Sequence, residues 1–334
     1  MSKALVTGAT GFLGAEVARR LAAAGLSVRT TAIAPHPSLP LPDFRVADLR
    51  DETSLAEIVR GVQCVVHAAG LAHQFRSYPG IERDFFSINA GATEQLARAA
   101  AHAGVETFVL ISSVSVYGKH DMQLVDETCP CRPEGPYAQS KHHAEQLATQ
   151  IAQASGMRLV ILRLATLYGE GDPGNVARLF RAIDRQRFVW IGTGSNTKSL
   201  LHRDDAARAC VAAATGAGEG VRTYDVSAPP CTVREIVGAI AQSLSRRVPR
   251  WHIPAGAALK LSQVASAVTL GRTRIGSLPN TLRKWLADDA YSGERFRTAY
   301  GFRTEVSLEE GIRREATWYR ADRRRPMPQR SGHS

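Results

Sequence analysis

The stretch TGATGFLG, residues 7–14, sets three glycines, Gly8, Gly11 and Gly14, between two segments of different periodicity. Ahead of it, KALVT (3–7) reads as a short apolar strand. Behind it, AEVARRLAAAG (15–25) reads as a helix, with Leu13, Val17 and Leu21 on one face and Gly25 at its C-terminal end. Glycines at such a junction allow a tight turn and let a pyrophosphate approach the amides and positive dipole of the helix start. The spacing has one residue more between the first two glycines than the G-x-G-x-x-G fingerprint, and the flanking strand and helix supply the context the fingerprint requires. An acid about 20 positions on would hold the ribose hydroxyls of NAD. None occurs from Val17 to Pro42, and Ala32 stands near the expected place. No arginine stands there to grip the extra phosphate of NADP, so either dinucleotide fits this reading. Asp48, in ADL, is placed to meet the adenine.

Outward from the turn, the alternation continues. LSVRTTAI and FRVADL read as strands, a helix opens on Ser54-x-x-Glu57 as a capping box, and CVVHAAG is a buried strand; ATEQLARAAAHAG is a helix and TFVLISS a strand. The helix AQSKHHAEQLATQIAQASG and the buried strand RLVILRL complete the series. Alternating strands and helices with β-branched, buried strands indicate an α/β fold, a doubly wound parallel sheet covered by helices on both faces. Near residue 170 the rhythm loosens. The reading is therefore a dinucleotide-binding domain over 1–170, a smaller mixed substrate lobe over 171–319 with segments returning to the sheet, and a basic flexible tail over 320–334. Helices are expected at NVARLFRAIDRQ, DDAARACVAAAT, after the capping box Thr232-x-x-Glu235 and at IPAGAALKLSQVASAVTL, with a strand at FVWIG.

With 334 residues, 44% hydrophobic and 22% charged, the composition is that of a globular protein. No apolar run reaches the roughly 20 residues of a membrane-spanning helix, and the N-terminus opens as a strand rather than as a signal peptide, so the expected location is cytoplasmic. Five scattered cysteines and the adjacent His142 and His143 lack metal-ligand spacing, which leaves free thiols, surface histidines and no metal. The net charge is +11, of which RADRRRPMPQRSGHS (320–334) supplies five arginines against Asp322. The remaining cations are dispersed and no nucleic-acid motif is present, so a phosphorylated small molecule is the expected partner.

Two further stretches carry chemistry. In GPYAQSK (135–141), Tyr137 and Lys141 are four residues apart on a helix and point the same way. An ammonium beside a phenol favours the phenolate, so the pair is expected to lower the tyrosine pKa and make it an acid/base. In LISSVSVYG (110–118) a buried strand ends in two serines at the carboxyl edge of the sheet, where ligands of open α/β sheets collect.

The glycine turn, the strand-end serines and the Tyr/Lys pair, in that order, resemble the extended short-chain dehydrogenase/reductase superfamily, and within it the NAD-dependent epimerase/dehydratase family, over roughly residues 3–320. DLRD, VVHAAG, INAGATEQLARAA, LRLATLYGEGD, WIGTGSNTKSLLHRDDAARA and YGFRTEVSLEEGIRREATWY are similar to further motifs of that family. The resemblance implies a Rossmann-type fold and Ser113, Tyr137 and Lys141 as catalytic set. It implies NAD or NADP contacts at Gly8, Gly11, Phe12, Leu13, Gly14, Asp48, Leu49, Ala68, Ala69, Asn89, Tyr137, Lys141 and Leu164. Ser113, Ser115, Thr166, Asn175 and Lys198 would meet a UDP- or dTDP-linked sugar, with Asn175 and Lys198 at its diphosphate. Leu164 and Thr166 replace a frequent proline and asparagine. Val114 and Ser115 stand where dehydratases carry an Asp-Glu pair, which leaves a sugar 4-epimerase or 4-keto reductase as the expected enzyme. A reductase of a small hydrophobic ketone or aldehyde, and a non-catalytic cofactor-binding scaffold, are the alternatives. A homodimer is implied by the same resemblance.

Overall fold

A computed structural model describes residues 2–35, 43–72, 78–120, 122–268, 282–283 and 285–324. The chain begins as the sequence predicts, with β1 (Lys3–Thr7), α1 (Gly14–Ala23), β2 (Ser27–Ala32), β3 (Phe44–Val46), α2 (Glu52–Val59) and β4 (Cys64–His67). After α3 (Ile81–Phe85) a π-helical turn, Phe86–Gly91, leads into α4 (Ala92–His102), β5 (Thr107–Ser113), α5 (Gly135–Ser155) and β6 (Arg158–Leu164). These strands and β11 (Val221–Val226) form one parallel sheet in the order β11-β6-β5-β4-β1-β2-β3. The order reverses between β1 and β4, and at such a switch point the carboxyl ends of the strands open a crevice for a ligand.

Each central strand is buried on both faces because its side chains alternate between two cores. Ala4, Val6, Val66, Val109, Val160 and Leu162 join α1 and α7 (Arg203–Thr215) in one. Leu5, Val65, Phe108, Leu110, Leu159 and Ile161 join α2, α4 and α5 in the other. This is the doubly wound α/β architecture, and it explains why the strands read as continuous apolar runs rather than alternating ones.

Contacts divide the chain into two compact units. The first comprises residues 1–167, 197–231 and 287–305; the second comprises 168–196, 232–286 and 306–334. The first holds the seven-stranded sheet. The second holds α6 (Asn175–Asp184), α8 (Val233–Leu244), α9 (Ala255–Val268), the helix Leu308–Arg324 and the short parallel pair of β8 (Trp190–Ile191) with β13 (His252–Ile253). Asp184 ties three of these pieces together: it accepts from Arg246 just past α8 and, at 3.1 Å, from Tyr319 of the closing helix.

Local details differ from the sequence reading in two places. The helix after β3 is capped by Asp51, whose carboxylate accepts from the amides of Thr53 and Ser54, so the Ser54 and Glu57 pair lies inside the helix. The box Thr232/Glu235 caps α8 as expected. The closing helix runs on to Arg324, so residues 320–324, read as the start of a flexible tail, are helical; 325–334 lie outside the described residues.

Candidate active site

The glycine turn is shaped by packing. Gly8 has φ +66°, and a Cβ on it would stand 2.7 Å from the Ala69 backbone at the end of β4. A Cβ on Gly14 would stand 2.2 Å from the Gly8 carbonyl oxygen. The turn therefore sits directly on β4 while α1 starts directly on the turn, the close approach that glycine permits. Beneath it, Thr7 Oγ1 lies 2.7 Å from His67 Nδ1, His67 Nε2 lies 2.8 Å from Thr93 Oγ1, and Thr93 donates to the Asn89 carbonyl. Since the Thr93 hydroxyl proton goes to Asn89, His67 donates from Nε2 and accepts from Thr7 at Nδ1. Burial, with a smaller contribution from Lys141, lowers the imidazole pKa to about 3, so it is neutral. In the sequence this histidine stands within VVHAAG, where an imidazole in an otherwise apolar strand is the signal that marks it.

The π-helical turn presents Asn89, which is 1% exposed. Its Oδ1 accepts from the Leu71 amide at 2.7 Å, and its Nδ2 donates to the Leu71 carbonyl and, at 3.0 Å, to Ser140 Oγ. Ser140 in turn donates to the Tyr137 carbonyl. Asn89 thus fastens the segment after β4 to the helix that carries the tyrosine. Widened turns of this kind are frequent at functional sites.

Helix α5 starts with Gly135 and Pro136 and exposes its first turn to the end of β5. The side chain of Ser113, the last residue of β5, acts on the Tyr137 phenol and favours its ionised form. Lys141 donates through Nζ to the Ile111 carbonyl in the same strand. Sequence reasoning expected the ammonium to lower the phenol pKa, and here the structure differs. Burial raises the pKa of Tyr137, and the opposing contribution comes from Ser113. The Lys141 charge is turned to the β5 backbone, and burial lowers its own pKa to about 8 against the pull of Glu145. Next to Ser113, which accepts from the Ser115 amide, the Ser115 hydroxyl is buried with no hydrogen-bond partner among the described residues. It is available to a ligand oxygen.

One turn beyond Lys141, Glu145 joins a buried network. Arg163 of β6 binds it through Nη2 at 2.7 Å and Nε at 3.1 Å, Ser112 donates to it, and Arg163 Nη1 reaches the Tyr117 hydroxyl at 3.0 Å. Tyr117 donates to Asp225 of β11 at 2.8 Å. Burial, reinforced by Glu127, pushes Asp225 up to about 8. Cys131, His142 and Glu145 have ligand atoms within 4.8 Å of one another. The sequence reading left His142 on the surface; its side chain is instead turned toward Glu145, whose oxygens are already engaged by Arg163 and Ser112.

The remaining expected contacts are placed as follows. Leu13 and Leu164 are buried in the core around α1 and α7, and Leu49 packs on the other core, so their side chains serve packing. Phe12 lies under the Arg203 guanidinium, 5.4 Å from its ring centre. Asp48 is paired with Arg50 at 2.6 Å. Ala68 and Ala69 border the glycine turn, and Thr166 is exposed in β7 (Thr166–Tyr168). Lys198, expected at a diphosphate, pairs with Asp289 at 2.7 Å and donates to the Ala287 carbonyl, so its charge is largely met within the protein. Asn175 opens α6 in the second unit and is exposed. A dinucleotide fits the turn: Thr31, beside Ala32 at the end of β2, has a buried hydroxyl with no partner among the described residues, suited to a ribose hydroxyl.

Comparison with known proteins identifies the family. The family model described as NAD dependent epimerase/dehydratase family matches residues 4–227, and the chain belongs to that family. It is 29% identical, over 94% of each chain, to the uncharacterized protein y4nL of Sinorhizobium fredii. It is 25% identical to the N-acetyl-alpha-D-glucosaminyl-diphospho-ditrans,octacis-undecaprenol 4-epimerase of Escherichia coli O157:H7, over 81% of each chain. Among solved structures it is similar to MoeE5 in complex with UDP-glucuronic acid and NAD, with TM-score 0.77 and 26% identity, covering 96% of this chain and 100% of that one.

Proposed function

We propose that this member of the NAD-dependent epimerase/dehydratase family acts at a secondary alcohol, C4, of a UDP- or dTDP-linked sugar, as a 4-epimerase or a 4-keto reductase. The observation that carries the reading is the convergence of α5 on the carboxyl edge of β5: Ser113 ends the strand and, against the burial that raises it, lowers the pKa of Tyr137, and Lys141, one turn along the same helix, donates to the Ile111 carbonyl of that strand. The nicotinamide, when bound, takes up or delivers the hydride. Tyr137, kept protonated by burial, hands its proton to a sugar ketone oxygen or recovers one from the alcohol. Ser113 shares that oxygen and fixes its distance from the phenol. Lys141, held by the Ile111 carbonyl one turn along the helix, is the residue that would anchor the ribose of the dinucleotide. No carboxylate stands at Val114 or Ser115 to drive elimination of water, which supports epimerisation or reduction over dehydration.

Assay of purified protein with UDP- and dTDP-sugars and either dinucleotide tests the reading. Conversion at C4 is expected. Tyr137→Phe should lower turnover by about 10²-fold or more while leaving dinucleotide affinity within about twofold, as read by titration. Failure of every sugar, together with turnover of a hydrophobic ketone, would establish the alternative reductase reading, which the Lys198–Asp289 pair favours because it removes a free cation from the expected diphosphate site.

A further inference from the structure

The charge of the chain is unevenly distributed. From Ile236 to Leu286, a run of 51 residues inside the second unit, there is no Asp or Glu. The run contains eight cations: Arg246, Arg247, Arg250, Lys260, Arg272, Arg274, Arg283 and Lys284. Setting aside these eight and the +4 of residues 320–334, the rest of the chain comes to −1 out of the total of +11. The cations that look dispersed along the whole sequence are therefore concentrated relative to the acids.

The described part of this run is outward-facing and apolar between its charges. Trp251 is 60% exposed and Leu261 is 67% exposed, two of the larger apolar exposures on the molecule. Arg250 and Lys260 are their exposed chain neighbours, Arg247 is exposed four residues before Trp251, and none of the three has an acidic partner among the described residues. Arg247 also borders a cavity of about 240 Å³ whose other walls include Ile183, Phe188, Val248 and Pro249. In α9 the residues turned inward are Ala258 and Ser262, while Ala257, Lys260 and Leu261 face out. A solvated surface needs neither the tryptophan nor the leucine, and a polyanion-binding surface needs no apolar recess beside its arginine. Unpaired cations, an exposed indole, an exposed leucine and an apolar recess together match the chemistry of an interface with anionic headgroups above and acyl chains below.

We propose that the second unit docks through Arg247, Arg250, Trp251, Lys260 and Leu261 on an anionic membrane surface. The attachment is peripheral: among the described residues no helix is long and apolar enough to cross a bilayer. The inference does not rest on the reaction assigned above.

The test is sedimentation of the full chain with vesicles of phosphatidylcholine alone and of phosphatidylcholine with phosphatidylglycerol in equal parts. Binding to the anionic vesicles only, weakened by added salt, is expected. Reversing the cations (R247E/R250E/K260E) should abolish it, since each cation near the surface contributes about fivefold. Trp251→Ser and Leu261→Ser, both at exposed positions, should each weaken it by about threefold or more, with circular dichroism and dinucleotide titration reporting intact folding. Three outcomes would overturn the proposal: no sedimentation with anionic vesicles at low salt; binding that survives the charge reversal but is lost on deleting residues 325–334; or equal binding to single-stranded DNA with no dependence on Trp251 or Leu261.

Discussion

A methyl group on Gly14 would collide with a backbone oxygen rather than with a side chain that could turn away. Gly14→Ala is therefore expected to cost about 1–3 kcal/mol in thermal unfolding and to abolish dinucleotide binding, because the turn must move off β4 to relieve the contact. Glu315 presents a different problem. It is 2% exposed in the closing helix, and burial, then Asp172 and Glu170, push its pKa up to about 9. The folded protein thus holds a proton that the unfolded chain releases near 4.5. Between those values the folded state binds more protons, so stability is full at low pH and falls as pH rises from about 4.5 to about 9. Glu315→Gln should flatten that decline and raise the melting temperature at pH 8, by an amount corresponding to about 1 kcal/mol or more; an unchanged slope would contradict the assignment. The side chains proposed as catalytic stand out by local spacing: Lys141 follows Tyr137 by four positions, and a strand end marks Ser113. Glu315 does not, since its acid neighbours come from a loop more than a hundred residues earlier.

At the level of elements, α5 is joined to β6 through Glu145 and Arg163, and β6 to β11 through Arg163, Tyr117 and Asp225. Removing one member leaves a buried charge unmatched, which costs about 3–5 kcal/mol, whereas replacing both by apolar residues is much milder. Arg163→Met should accordingly lower stability by that amount in denaturant unfolding, and the pair Glu145→Leu/Arg163→Met should recover a large part of it. Because Glu145 is one turn from Lys141 and two from Tyr137, the single substitution should also reduce turnover more than the pair does. Periodicity revealed α5, β5 and β6 because each has a local pattern. The capping box at Thr232 was equally readable, whereas Ser54 and Glu57 matched the pattern and were overridden by Asp51, a better-placed cap three residues earlier. β11 was missed: VRTYDV mixes charged and apolar residues, and it becomes a sheet edge only through pairing with β6.

On the scale of the molecule, the alternating first half fixed the architecture at sequence level, since buried β-branched strands separated by helices have few other solutions. The later half was less readable because its elements are short and take their meaning from distant partners: α7 covers the first core although it follows β10 (Leu200–His202), and β11 completes the sheet after it. The two units are each assembled from three separated stretches of chain, and the polypeptide changes unit at residues 167, 196, 231, 286 and 305. During synthesis, therefore, the sheet-bearing unit has all its segments only once residue 305 has left the ribosome. Until Val226 emerges, β6 is an open edge with its outer hydrogen bonds unmade. A shortened gene encoding residues 1–170 is expected to yield an aggregating product rather than an autonomous dinucleotide binder, as light scattering and titration would reveal. For the same reason no single proteolytic cut can liberate either unit intact, and a fusion partner or tag is best tolerated at the chain's ends, not at an apparent boundary near residue 170.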